Sequence, residues 1–206
     1  MFANRDDAAR QLAARLQPYR AQHPLVLAIP RGAVPMARLL ADALDGDFDV
    51  VLVRKLRAPR HAETAIGAVD ESGWTYLAPY AAAMGADQAY IEREKQTQLA
   101  TIRARRENYT PIRPPLDPAG RLVIVVDDGL ATGATMLAAL HALRHKKPAQ
   151  LVCAVPVASP DALELVRPLA DEVVCLHAPP YFQAVGQFYR HFPQVEDEEV
   201  IALLGG

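Results

Sequence analysis

Val123-Ile124-Val125-Val126-Asp127-Asp128-Gly129-Leu130-Ala131-Thr132-Gly133-Ala134-Thr135 is the stretch on which the reading of this chain turns. The aliphatic run from Leu122 to Val126 reads as a central parallel strand, since a strand covered on both faces is apolar at every position. It ends in two adjacent carboxylates. The chain then passes through small residues into a helix, whose face is marked by Met136, Leu140 and Leu143. A loop of Ala, Thr, Gly, Ala and Thr carries little bulk, so its backbone N–H groups can wrap an anion. The helix start behind it adds partial positive charge, and Thr132 and Thr135 add hydroxyl donors. Such a loop suits a phosphate monoester. Asp127 and Asp128 cannot favour an anion and should face neutral hydroxyls or a cation. A ribose diol beside a phosphate, with Mg2+ nearby, satisfies both halves.

Working outward, strands alternate with helices. Asn4 can cap a first helix, with Asp6 and Asp7 in its first turn and Ala8, Leu12 and Leu16 on one face. Leu25 to Ile29 reads as a buried strand ending at Pro30-Arg31-Gly32, and Val34, Ala37, Leu40 and Leu44 mark the next helix. Asp49 to Val53 reads as a second buried strand running into Arg54 and Lys55, followed by a polar, basic loop from Leu56 to Thr64. Ala65 to Val69 and Trp74 to Leu77 read as two strands joined by a turn, Asp70 to Gly73. A long polar helix is expected over Asp87 to Tyr109, then a Pro-rich connector from Pro111 to Pro118. After the central strand come a strand over Leu151 to Val157, a helix opened by Ser159-Pro160-Asp161, and a last strand over Val173 to Leu176. The tail from His177 is rich in aromatics and closes with a short helix near Asp197. This order predicts an α/β fold, a parallel sheet with helices on both faces. Ligands of such sheets bind at the carboxyl ends of the strands.

Composition sets the frame. At 206 residues the chain fits one α/β domain over 1–206, with a core of about 20–176. Its 51% hydrophobic and 22% charged residues are near globular averages, which argues against disorder on a large scale. A formal net charge of −2 gives no electrostatic case for a dedicated nucleic-acid binder. Cys153 and Cys175, each in an apolar run, read as buried reduced thiols. With no secretory pattern at its start and no apolar run of membrane-spanning length, the chain is expected to be soluble and cytoplasmic.

The signature stretch resembles the phosphoribosyl pyrophosphate (PRPP) motif of the type I phosphoribosyltransferases, in the adenine-type version that ends Ala-Thr-Gly-x-Thr. The resemblance covers roughly Leu25 to Leu176. It implies that Ala131, Thr132, Gly133, Ala134 and Thr135 hold the 5′-phosphate, and that Asp127 and Asp128 contact the ribose hydroxyls and, through PRPP, its Mg2+. Arg31 and Gly32 fall where the family keeps its pyrophosphate loop, and Lys55 where a lysine touches pyrophosphate. Asp127, Asp128 and Lys55 would be the catalytic groups. Leu56 to Val69 would be a flexible loop closing over the site, with Arg57, His61 and Glu63 as candidates within it. The tail 177–206, with the N-terminal segment, falls where the family places its hood, and its wording resembles a bacterial subfamily of unassigned acceptor. Phe182 and Tyr189 are the candidates for stacking on a flat acceptor, with Phe192 beside them, and packing within the hood is the competing reading. Ala131 stands where the hypoxanthine-guanine branch keeps an aspartate, so that branch's base chemistry is not expected.

The function implied is transfer of the 5-phosphoribosyl group from PRPP to a nitrogenous, heterocyclic acceptor with release of pyrophosphate and Mg2+ as cofactor. The family's habit implies a homodimer. The competing reading is a non-catalytic PRPP-binding regulator of RNA or a partner protein; phosphorolysis of a nucleoside-like compound is a third. Other chemistries lack their motifs. There is no G-x-x-x-x-G-K-[ST], no G-x-G-x-x-G after a strand, and no G-x-S-x-G. His61-Ala62-Glu63 has no P-C-x-x-C behind it, and the histidines have no metal-ligand spacing.

Overall fold

The computed structural model describes residues 1–206. Helix α1 (Arg5–Leu16) starts where Asn4 accepts the Asp7 N–H, and passes into a short 3-10 turn. Strand β1 (Leu25–Ala28) leads through the Pro30–Gly32 turn into α2 (Val34–Ala43), and β2 (Asp47–Val50) follows. Strands β3 (Val53–Ala58), β4 (His61–Asp70) and β5 (Thr75–Leu77) come next, then α3 (Gln88–Tyr109), β6 (Leu122–Val126) and α4 (Ala134–His145). The chain continues through β7 (Gln150–Val157), α5 (Pro160–Val166), β8 (Glu172–His177) and α6 (Asp197–Gly205).

Five strands form a parallel sheet in the order β2-β1-β6-β7-β8. The alternation along each strand decides which layer it feeds. Val26, Ala28, Ile124, Val126, Val152 and Ala154 pack with α1 and α2. Leu25, Leu27, Val123, Val125, Leu151 and Cys153 pack with α4 and α5. Helices therefore cover both faces, and β6 lies at the centre, buried at every residue. Ala28 and Val126 are paired partners, so the loops after β1 and β6 leave the sheet side by side at its carboxyl edge.

One expectation fails between residues 49 and 64. The apolar run read as a single strand is two elements. Strand β2 stops at Val50, and after Val51-Leu52 the chain enters a separate antiparallel sheet, β3-β4-β5. The segment read as a polar loop is a hairpin, with β3 and β4 paired from Val53↔Asp70 to Ala58↔His61. Val51 and Leu52 are both buried, so no polar residue marks the change of sheet.

This second sheet lies between α3 and α4. Trp74, just before β5, stacks on His141 of α4 with ring centroids 3.6 Å apart and planes 11° apart. Arg106 of α3 grips Glu71 in the β4–β5 turn through two hydrogen bonds of 2.9 and 2.8 Å. The Pro-rich connector is anchored by the buried Asp49 carboxylate, which accepts the N–H groups of Val50 and Leu116.

The N-terminus and the tail pair with each other. Phe2 N–H donates to Phe188, while Arg190 and His191 donate to Phe2 and Ala3. The ring of Phe2 is buried between His177 and Tyr189. No helix is long and apolar enough to cross a membrane. Cys153 is buried, Cys175 is half-buried, and both are free thiols.

Candidate active site

A cavity of about 700 Å³ opens at the carboxyl edge of the parallel sheet. The loop after β1, the start of β3, the hairpin, the β6–α4 loop and the tail all line it. A hollow of about 870 Å³ lies elsewhere, between the ends of β2, the β4–β5 turn and the last turns of α4. None of the candidate site residues lines that second hollow, whereas many of them line the smaller one.

The floor is the β6–α4 loop. Its outer side is pinned to the neighbouring strand. Leu130 N–H donates to Val157, Ser159 N–H to Leu130, and Ser159 Oγ–H to the Ala131 carbonyl at 2.7 Å. Gly133 turns the chain into α4 with φ of 79°, in the left-handed region that disfavours a side chain. Across this turn the N–H groups of Ala131, Thr132, Gly133, Thr135 and Met136 find no acceptor in the protein. Ala134 N–H is met only by Thr132 Oγ at 3.4 Å. A fan of open donors at a helix start is an anion cradle. The loop after β1 repeats the device on a smaller scale, because the N–H groups of Arg31, Gly32 and Ala33 also lack acceptors. The Pro30–Arg31 peptide in this loop is cis.

Asp127 and Asp128 stand between the two loops. Asp127 Oδ1 accepts the Asp128 N–H at 2.9 Å. Asp128 Oδ2 accepts two hydrogen bonds from Arg5, from Nε at 3.2 Å and Nη2 at 2.9 Å. Tyr189 donates its hydroxyl to the Asp128 carbonyl at 2.6 Å. No N–H or hydroxyl of another residue donates to Asp127 Oδ2 or Asp128 Oδ1, and the two carboxyl groups lie within hydrogen-bonding reach of each other. Burial, and then the neighbouring Asp128 charge, push Asp127 well above the usual carboxylate range, while the Asp128 N–H and Lys55 oppose this. Burial also raises Asp128, against the pull of Arg5 and Lys55.

Lys55 lines the cavity, forms no ion pair, and acts electrostatically on both aspartates. Arg54 also lines it and was not singled out from the sequence. Its Nε donates to Gln98 at 2.9 Å. Burial, then the charges of Arg105, Arg57 and Arg31, hold its guanidinium down to about 10. Arg54, Lys55 and Arg57 line the cavity together, and such like charge favours an anion there. The only signal in the sequence was its position next to Lys55.

The remaining candidates separate. Gly32, Arg57 and Glu63 line the cavity, as do Thr132, Gly133 and Thr135. His61 does not; it is exposed at the start of β4. Arg31 turns away from the cavity and pairs with Glu196 at 3.1 Å and Asp197 at 3.6 Å, at the start of α6. Phe182 and Tyr189 are not in the cavity either. Phe182 packs on Phe188, and Tyr189 is buried, with its ring against Phe2 and Phe192. The tail reaches the cavity instead through Gln183 to Gly186 and Phe192. Val185 lies so close over Gly129 that a Cβ there would come within 2.6 Å of it.

Three comparisons bear on this geometry. The phosphoribosyl transferase domain family matches residues 3–191. A protein of Mycobacterium tuberculosis strain H37Rv, provisionally named phosphoribosyl transferase Rv0571c, is 40% identical over 205 residues, which are 99% of this chain and 46% of that protein. The chain thus spans about half the length of the curated relatives it matches. The adenine phosphoribosyltransferase of Rhodospirillum centenum is 30% identical over 114 residues, covering 53% of this chain and 66% of that enzyme. Among solved structures, TT1426 from Thermus thermophilus superposes with a TM-score of 0.81 at 47% identity, covering 99% of this chain and 97% of that one.

Proposed function

The chain belongs to the phosphoribosyl transferase domain family, and on that premise we propose that it moves the 5-phosphoribosyl group of PRPP onto a nitrogenous acceptor and releases pyrophosphate. The observation that carries this reading is one juxtaposition. A fan of N–H groups without acceptors lies beside two carboxylates that each keep one open oxygen. The fan suits a 5′-phosphate and the open oxygens suit the two ribose hydroxyls. The amides of Arg31 to Ala33, with Lys55 and Arg54 at the cavity wall, suit the pyrophosphate.

The residues supply mainly position and charge. The cradle and the acid pair hold the sugar at both ends. Lys55 and Arg54 offset charge on pyrophosphate as its bond to C1 of the sugar breaks. The carboxylates of Asp127 and Asp128 favour the positive charge that develops on the ring. The acceptor nitrogen attacks from the opposite face, the side lined by Gln183 to Gly186. The hairpin residues Arg57 and Glu63 stand where closure would exclude water.

Mg2+ fits this donor set as a partner of the substrate. The chain has no group of three His, Cys, Asp or Glu residues that could hold a metal by itself. Magnesium is commonly held by substrate phosphates and waters with few protein ligands; here the pyrophosphate and ribose hydroxyls of PRPP would hold it, and Asp127 and Asp128 would act on it through those hydroxyls. Bound there, it would neutralise charge on the pyrophosphate. The cytoplasm is the compartment we assign, and a homodimer the assembly.

Calorimetric titration with PRPP, with and without Mg2+, tests the reading on wild type and on Asp127→Asn/Asp128→Asn. Magnesium-dependent binding that the double variant loses is expected, after which a screen for pyrophosphate release would identify the acceptor. A folded wild type that binds no PRPP overturns it.

A further inference from the structure

Arg5 is the first residue of α1, remote in sequence from every motif, yet its guanidinium sits at the acid pair. Nε and Nη2 both donate to Asp128 Oδ2, and Nη1 donates to the Pro193 carbonyl at 2.5 Å. The flat face of the group lies over the Phe192 ring, with Cζ 3.8 Å from the centroid. Both side chains of the pair are nearly buried, 10% exposed for Arg5 and 15% for Asp128. Space has been left for them. A Cβ on Gly32 would collide with the Asp128 carboxylate and approach Arg5 Nη2 to 3.2 Å.

An ion pair joining α1 to the core could be a simple fastening. The N-terminus, however, is already fastened without it. Three backbone hydrogen bonds and the buried Phe2 ring tie residues 2–3 to the tail. Arg5 adds something different: it selects an oxygen. Of the four carboxylate oxygens at the pair, Asp128 Oδ2 is taken by Arg5 and Asp127 Oδ1 by the Asp128 amide. These N–H donors leave one oxygen on each acid, shared only between the two carboxyl groups themselves, and a vicinal diol needs one acceptor for each hydroxyl. A carboxylate without Arg5 would be free to rotate about its last torsion, which is broad.

We propose that Arg5 is a positioning residue, which locks Asp128 so that the acid pair presents one open oxygen to each ribose hydroxyl of the substrate. The proposal rests on the phosphoribosyltransferase reading above. Arginine suits this place and lysine does not: one edge of the fork holds Asp128, another corner holds Pro193, and the face lies on Phe192. Because Pro193 and Phe192 belong to the tail, the same group links sugar binding to the acceptor side of the cavity.

The test compares a ligand with a ribose against one without. Arg5→Ala, Arg5→Gln and Arg5→Lys are titrated with PRPP and with inorganic pyrophosphate, each with Mg2+, by calorimetry. We expect Arg5→Ala to lose about ten-fold or more in PRPP affinity, the scale of a lost charge-assisted hydrogen bond. Pyrophosphate affinity should stay within about two-fold, because the acid pair's diol contact is not used by that ligand. Arg5→Lys should recover part of the loss. Guanidinium chloride at low millimolar concentration should restore PRPP binding to Arg5→Ala more than equal sodium chloride does. Should Arg5→Ala not fold, Arg5→Gln carries the same comparison. Equal losses for both ligands would make Arg5 a fastening only, and wild-type affinity for both would remove it from the site; either result overturns the proposal. A wild type that binds pyrophosphate but no PRPP would overturn the functional reading itself.

Discussion

The two ends of the cavity are built on different plans. One end is made of backbone N–H groups, within five consecutive residues, Ala131 to Thr135, on one loop pinned by Ser159 and the end of β7. The other end is made of side chains and segments far apart in sequence. There Asp128 and Phe192 at the cavity wall are backed by Arg5 and Tyr189 behind it, through hydrogen bonds and ring contacts that span most of the chain. The first plan depends little on which side chains stand there. The second can be altered one side chain at a time, and function on a shared fold varies through such sites.

Substitutions can break or sharpen this contrast. The largest effect is expected at Gly133. An added Cβ would sit at φ of 79° and come within 3.2 Å of Ala162, so Gly133→Ala must move the turn. Affinity for ribose 5-phosphate, measured by calorimetry, should fall more than about ten-fold, and unchanged affinity would remove the amide fan as the cradle. Tyr189→Phe comes next. It strips the Asp128 carbonyl of its hydroxyl donor in a buried place, at a cost of about 1–2 kcal/mol in urea unfolding. Ribose 5-phosphate affinity should hold within about two-fold; a parallel loss would mean that the two ends are not independent. Phe192→Leu removes the ring under Arg5, which is about 0.5–1 kcal/mol by the same unfolding measurement. The smallest effect is expected at His61, exposed and outside the cavity. PRPP affinity of His61→Ala should match wild type, and a several-fold loss would show that the hairpin tip reaches the ligand.

The same contrast explains what the sequence revealed. The strand Leu122–Val126, its acid pair and the loop behind it are contiguous, so residue types in order were enough to read them. Helix starts at Asn4, Asp87 and Ser159 were equally local, and the side chain at each accepts an N–H of its own first turn. The hairpin was not readable. Val51 and Leu52 continue the apolar run of β2 without interruption, and the bulged register at Leu56 to Ala58 spoils the alternation that marks a strand. Arg31 was expected in the cavity by its place after β1, but its partners Glu196 and Asp197 lie 165 and 166 positions away, where no spacing rule reaches. Tyr189 and Phe182 have the composition of a stacking surface and the packing of a core, and only the fold distinguishes these. Arg5 gave no signal, because an arginine in the first turn of a polar helix looks like any solvated one.

Trp74 is the chain's one tryptophan, and it lies face to face with His141. His141 is about two turns along the helix whose start carries the open N–H groups. The near-ultraviolet emission of this protein therefore has a single indole source, seated where the hairpin sheet meets that helix. A ligand that shifts either body against the other changes the contact of the indole with the imidazole. The molecule carries its own optical gauge at that joint, readable without label or acceptor.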